Sequence, residues 1–172
     1  MGNRKIVNPN FKSKNGKHSL RIEIIEPTDL ELIANFFNDH YVKNGNLWKS
    51  IKITPEECKQ MSYDTVKIAI QKPISFAVFD GKKLVAIQLN RLHFPEEFEQ
   101  LFNGELHHKN PTFIIKDDYS NEIQNGPYNN LNANRIYTFV ESSLKQVGKF
   151  LPKTTKPLGY FKVTAVLPEY SK

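Results

Sequence analysis

Two short apolar runs around one tight turn constrain this chain more than any other feature. Ser75-Phe76-Ala77-Val78-Phe79 and Leu84-Val85-Ala86-Ile87-Gln88-Leu89 flank Asp80-Gly81. β-Branched and aromatic residues alternating on both sides of an Asp-Gly pair are the strongest short-range signal for a β-hairpin. A hairpin alone is marginal in water, so it must join a larger sheet. The chain supplies candidates for that sheet. Ser19 to Glu26 alternates, with Leu20, Ile22 and Ile24 on one side and Arg21 and Glu23 on the other, and stops at Pro27. Val163 to Val166 is a β-branched run ended by Pro168, which cannot donate to a ladder.

Helices separate the strands. Thr28 and Glu31 have capping-box spacing and open a helix with Leu30, Ile33, Ala34, Phe37 and Tyr41 on one face. Gly45 closes that region. Thr54-Pro55-Glu56-Glu57 is a second box with Pro55 at the first helical position, where its missing N–H costs nothing. That helix is predicted from about Pro55 to Ala69, with Cys58, Met61 and Val66 inward. Residues 91–131 show no sustained period and read as a long surface excursion with one short helix near Pro95–Phe102. Asn132 or Asn134 is expected to cap a helix from about Ala133 to Phe150, with Ile136, Phe139, Val140, Leu144 and Val147 as its buried stripe.

Charge and cysteine usage narrow the class. The chain has 172 residues and a net charge of +6. Residues 1–21 hold six of the basic residues and no acidic one, whereas 18 basic residues face 18 acidic ones from Glu23 onward. Residues 1–19 therefore read as a basic disordered arm and 20–172 as the folded part. The arm alone is a weak argument for a nucleic-acid binder, so no specific nucleic-acid partner is expected. Cys58 is the single cysteine, which excludes an internal disulfide and suits the cytoplasm. No run approaches the roughly 20 apolar residues of a membrane span, and no membrane partner is expected. His107 and His108 are adjacent and lack the spacing of a helical ligand pair, so no metal is expected.

The order of these segments is similar to the N-terminal half of a GNAT-superfamily acetyltransferase, most closely the arylalkylamine N-acetyltransferase-like members. Three stretches carry the resemblance: Arg21 to Asp29, Ser75 through Asn90-Arg91, and Lys162 to Tyr170, the last resembling the lead-in to the acetyl-CoA loop. The resemblance implies an α/β fold of the α+β kind, a partial GNAT-like domain with a mostly antiparallel sheet flanked by helices. It implies acetyl-CoA as cofactor and a small amine as substrate, joined by direct attack of the amine on the thioester. The backbone at Val166 and Leu167 would then bind the pantetheine arm and polarise the thioester carbonyl.

Two positions depart from the pattern. Gly45 falls where such proteins carry a glutamate that helps deprotonate the amine. His40 and Glu23 are the remaining candidates for the base, each equally readable as a solvated polar residue. Trp48 either lines an aromatic amine pocket or packs between helices. Ser171 stands where the pyrophosphate loop would begin, and the Gly-rich loop itself does not follow within this sequence. The expectation is a truncated domain that alone is inactive, or else a non-catalytic half-domain acting as a binding module. The strand Lys162–Leu167 is then an open edge through which the chain is expected to self-associate.

Overall fold

The computed structural model describes residues 4–13, 16–154 and 156–171. They fall into two units, one formed by Met1–Arg91 with Tyr160–Lys172 and the other by Leu92–Gly159.

The first unit is built on a five-stranded sheet in the order β1-β2-β3-β4-β5, which is also the chain order. The strands are β1 Ile6–Lys12, β2 Ser19–Ile24, β3 Phe76–Asp80, β4 Lys83–His93 and β5 Leu158–Val166. The pairs β1–β2, β2–β3 and β3–β4 are antiparallel. Leu167 N–H donates to Val85 O at 2.9 Å and Thr164 Oγ1 bonds Gln88 Oε1, so β5 also runs antiparallel to β4. The hairpin forms as expected, with Gly81 and Lys82 as the two loop residues. Gly81 has φ +57° and Lys82 is not in the positive-φ region, as a type II′ turn requires.

The register makes Glu23 a neighbour of Ala77, and Ala77 a neighbour of Ile87. That face is the buried one: Ala77, Val85, Ile87 and Leu89 are at most 1% exposed. The face carrying Ile22, Val78 and Ala86 is only half-buried. Glu23 therefore lies on the covered side, whereas of the apolar alternates Leu20 is buried and Ile22 and Ile24 are half-buried. The reason is the N-terminal segment. Instead of a solvated arm, residues 6–12 form an edge strand, and Arg4 just before it reaches Glu23 and Asp29. Those ion pairs, with Arg21 on the other oxygen of Glu23, allow a carboxylate to be buried.

On this unit lie α1 (Leu30–Phe36), a π-helical turn (Phe37–Val42), α2 (Asn46–Ser50) and α3 (Pro55–Ala69). The entry to α1 differs from the expected Thr28–Glu31 box. Asp29 Oδ2 instead accepts from Glu26 N–H at 3.0 Å, because the same carboxylate is the anchor for Arg4. α3 matches its expected bounds: Thr54 Oγ1 accepts from Glu57 N–H and Glu57 Oε2 from Thr54 N–H, with Pro55 first in the helix. Cys58, Met61 and Val66 are buried as expected.

The second unit holds α4 (Phe98–Leu101), α5 (Ser120–Gln124) and α6 (Leu131–Val147). α6 is capped by Asn130, whose side chain accepts from the N–H groups of Asn132 and Ala133. Its buried side holds Ala133, Asn134, Ile136 and Thr138, whereas Phe139 and Val147 are exposed. The expected apolar stripe is thus displaced around the helix. Asn134 can be buried because its side-chain amide both accepts from Tyr128 N–H and donates to Tyr128 O. The stretch before α5 is held along α6 by Gln146, whose amide exchanges two hydrogen bonds with the backbone of Ile114 at 2.7 and 2.8 Å. No helix among the described residues is long and apolar enough to cross a membrane.

Candidate active site

The π-helical turn is the starting point. Widening the helix by one residue shifts the side chains that follow, which is why such turns recur at functional sites. Here Lys43 N–H reaches back to Asn38 O at 3.3 Å. Asn38 anchors the turn to α3, donating to Pro55 O at 2.9 Å and accepting from Ser62 Oγ at 2.8 Å. His40 and Tyr41 project from this anchored turn.

Aromatic rings surround it. Phe37 and Tyr41 stack with centroids 5.0 Å apart, Tyr41 meets Trp48 edge-on at 6.2 Å, and His40 lies on Phe36 at 4.5 Å. Gly45 permits this packing, since a Cβ there would come within 2.4 Å of Trp48 Cδ1. Trp48 is buried, so of its two readings the packing role is realised, with its ring also part of the aromatic wall. Burial, and then the nearby Tyr160 of β5, push the Tyr41 hydroxyl above its ordinary value.

The chain after β5 is tied down. Pro168–Tyr170 forms a single 3-10 turn, and Tyr170 Oη donates to Asp80 Oδ2 at 2.8 Å. His18 Nδ1 approaches the same oxygen at 3.4 Å, and its ring packs on Tyr170 at 4.5 Å. Lys83 Nζ donates to Glu169 Oε1 at 2.9 Å and lies 5.5 Å from the Tyr170 ring centroid. The Lys83 bond holds Glu169 below the usual carboxylate range, with His40 contributing at a distance.

The residues singled out in the sequence separate on this frame. His40 stands on the aromatic turn with its ring against Phe36. Glu23 does not join it: Arg4 Nη1 holds one oxygen at 3.3 Å and Arg21 Nε the other at 2.5 Å, within the sheet. Both of its oxygens are committed to guanidinium groups, which removes Glu23 as a candidate base. Leu167 spends its N–H on Val85 O. Backbone directions alternate along a strand, so Val166 and Thr164 send their N–H and C=O groups to the edge of β5 away from β4. Leu167 offers neither group, since its carbonyl accepts from Tyr170 N–H at 2.9 Å.

Tyr160 and Glu169 escape sequence reasoning, because their partners Tyr41 and Lys83 lie far away in the chain. The one legible signal was the aromatic density from Phe36 to Trp48. A separate groove of about 350 Å³ between α1 and α3 is lined by Glu31, Ala34, Asn35, Asn38, Lys59 and Tyr63, and does not include His40.

No family sequence model and no curated protein sequence matches this chain. Solved structures do. A yellow fever mosquito protein named as arylalkylamine N-acetyltransferase 7 superposes with a TM-score of 0.64 at 11% identity, over 99% of this chain and 64% of its own. The Drosophila melanogaster polyamine N-acetyltransferase, which forms N-acetylagmatine, gives 0.57 at 12% identity, over 89% and 63%. A mosquito arylalkylamine N-acetyltransferase like 5b gives 0.52 at 12% identity, over 90% and 64%. The chain thus spans under two thirds of the length of each, and its fold is that of the GNAT acetyltransferases.

Proposed function

We propose that this chain provides the amine-recognition and strand-edge part of an acetyl-CoA-dependent N-acetyltransferase acting on a small amine, in a reducing compartment such as the cytoplasm. The observation that carries the reading is the acetyltransferase-like sheet in which β5 follows β4 with Val166 on its outer edge. When bound, acetyl-CoA supplies an acyl group already activated as a thioester. The chain's own residues do the rest. The aromatic faces around Tyr41 hold an organic cation through the ring quadrupole. His40 accepts the proton that the ammonium must lose before its nitrogen can attack. The Val166 backbone fixes the acyl arm as an added strand and keeps the carbonyl in place.

The test is a nuclear magnetic resonance titration of the chain with acetyl-CoA. Binding is expected to be weaker than micromolar, with amide shifts largest at Thr164 and Val166 and small along β1. Amides of β5 that stay unmoved at millimolar cofactor sink the reading.

A second reading, a non-catalytic GNAT-derived binding module, is favoured by Gly45. The packing of Trp48 leaves no space for a side chain where the resemblance puts a glutamate. Amine binding by a chain whose β5 amides stay unmoved at millimolar acetyl-CoA distinguishes this reading from the first.

A further inference from the structure

The groove between α1 and α3 has a cation at one end and an anion at the other. Glu31 stands on the α1 wall and Lys59 on the α3 wall, with Asn35 and Tyr63 beside them and the buried Ala34 in the floor. The polar side-chain atoms of Asn38 are spent inside the protein, on Pro55 O and Ser62 Oγ. Those two bonds also fix the order of the charges. Lys59 lies between Pro55 and Ser62 in α3, so it belongs to the Asn38 end of the groove. Glu31 is two helical turns back from Asn38 along the chain, about 10 Å at the rise of a helix. That separation explains why opposite charges in one groove do not pair. Among the described residues, the side chains of Glu31, Asn35, Lys59 and Tyr63 have no hydrogen-bond or ion-pair partner.

We propose that this groove is a binding site for a free dipeptide, with the ligand's ammonium on Glu31 and its carboxylate on Lys59. Length selects the class. Two extended residues span at most about 7 Å, and a charge-assisted hydrogen bond of about 2.8 Å at each end completes the distance between the two charged groups. A single amino acid has half that span and reaches one end only. A dication or a dianion would set one of its charges against a like charge of the protein. The middle of the ligand is matched as well. Asn35 lies one helical turn from Glu31 and keeps both its amide oxygen and its amide N–H groups available, the two partners that a peptide bond requires. The Tyr63 ring, 40% exposed, and the small side chain of Ala34 leave an apolar path for the ligand's own side chains. The groove's volume of about 350 Å³ is at the lower end of small-ligand sites, as a ligand of this size needs. Both walls belong to residues 31–63, and the site uses neither His40, Tyr41 nor any residue of β5. It therefore stands apart from the acetyl-transfer reading.

Nuclear magnetic resonance titration of the full chain with Ala-Ala tests the site. Saturable amide shifts are expected at Asn35, Lys59 and Tyr63, in the millimolar range that two solvent-exposed ion pairs support. N-acetyl-Ala-Ala lacks the ammonium and Ala-Ala amide lacks the carboxylate. Each should bind about three- to five-fold more weakly than Ala-Ala, as should free alanine. Two variants assign the ends. Glu31→Gln should weaken Ala-Ala by the same factor and leave N-acetyl-Ala-Ala unchanged. Lys59→Gln should weaken Ala-Ala and leave the amide unchanged. Both side chains are exposed and unbonded, so neither change should disturb the fold, and unmoved β5 amides in the same spectra verify this. No saturable shift at tens of millimolar overturns the proposal, as does equal binding of the free and capped peptides. A variant that weakens free and capped peptides alike overturns it as well.

Discussion

Arg4 and Asp29 are joined by two hydrogen bonds, Nε to Oδ2 at 2.8 Å and Nη2 to Oδ1 at 2.6 Å, with both side chains about nine-tenths buried. The guanidinium also donates to Glu23 and lies 5.2 Å from the Phe79 ring centroid. One side chain thus ties the N-terminal segment to β2, to β3 and to the entry of α1.

Arg4→Met should therefore destabilise the chain by about 3 kcal/mol, since it strands a buried carboxylate. At this chain length that lowers the melting temperature by roughly 6–12 °C, measurable by thermal denaturation. Adding Asp29→Asn should recover part of the loss, because the amide oxygen can still accept from Glu26 N–H while the charge is gone. A loss that the double variant does not reduce would assign the effect to packing on Phe79.

The same pair sets an acid dependence. Burial works against the Asp29 carboxylate, but Arg4 and the Glu26 N–H outweigh it and hold the group below the ordinary range. A depressed folded value means the stabilisation is complete above the unfolded value, near 4, and is lost as pH falls through the lower folded value. Denaturant unfolding between about pH 5 and pH 2 should show a steeper loss in the wild type than in Arg4→Met.

Gly45 should not tolerate a side chain. Its Cβ would meet Trp48 Cδ1 at 2.4 Å and Tyr41 O at 3.0 Å. Gly45→Ala should cost about 1–3 kcal/mol as overpacking and change the Trp48 fluorescence maximum. Gly45→Glu should displace the tryptophan instead of installing a working base, so it should not raise any acetyl-transfer rate. An unchanged spectrum in both variants would show that the loop adjusts freely.

Cys58 should be inert in the folded chain. Burial first, and then Glu57, push its thiol up to about 12, far from any thiolate population at neutral pH. Alkylation followed by mass spectrometry should modify it only in denaturant. Rapid labelling of the native protein would mean that α3 opens readily.

Thr54→Ala should cost about 1 kcal/mol, or roughly 2–4 °C in melting temperature, by removing the acceptor for Glu57 N–H at the start of α3. The loss should appear in hydrogen exchange as weaker protection of the first turn only.

The parts of this protein legible in the sequence are those whose cause is local. Gly81 makes the β3–β4 turn, Thr54, Pro55 and Glu57 start α3, and the β-branched run at Val163 makes a strand, all through interactions spanning a few residues. The acetyltransferase-type fold was legible too, because the order of such elements is itself a sequence property. What only the tertiary structure decided is where charge and aromatic groups meet. Glu23 looked like the solvated alternate of β2 and is buried, because Arg4 arrives from a segment whose composition suggests disorder. Residues 6–12 become a strand for the same reason: the partner they need is β2, beyond a turn, and no local period announces it. Phe139 looked inward and lies outward, while Asn134 is buried with its amide satisfied by Tyr128. Glu169 and Lys83 are far apart in the chain and pair only after β5 returns beside β4. Periodicity reports how a segment folds on itself, whereas burial of an ion pair or a polar amide depends on a partner that only the folded chain supplies.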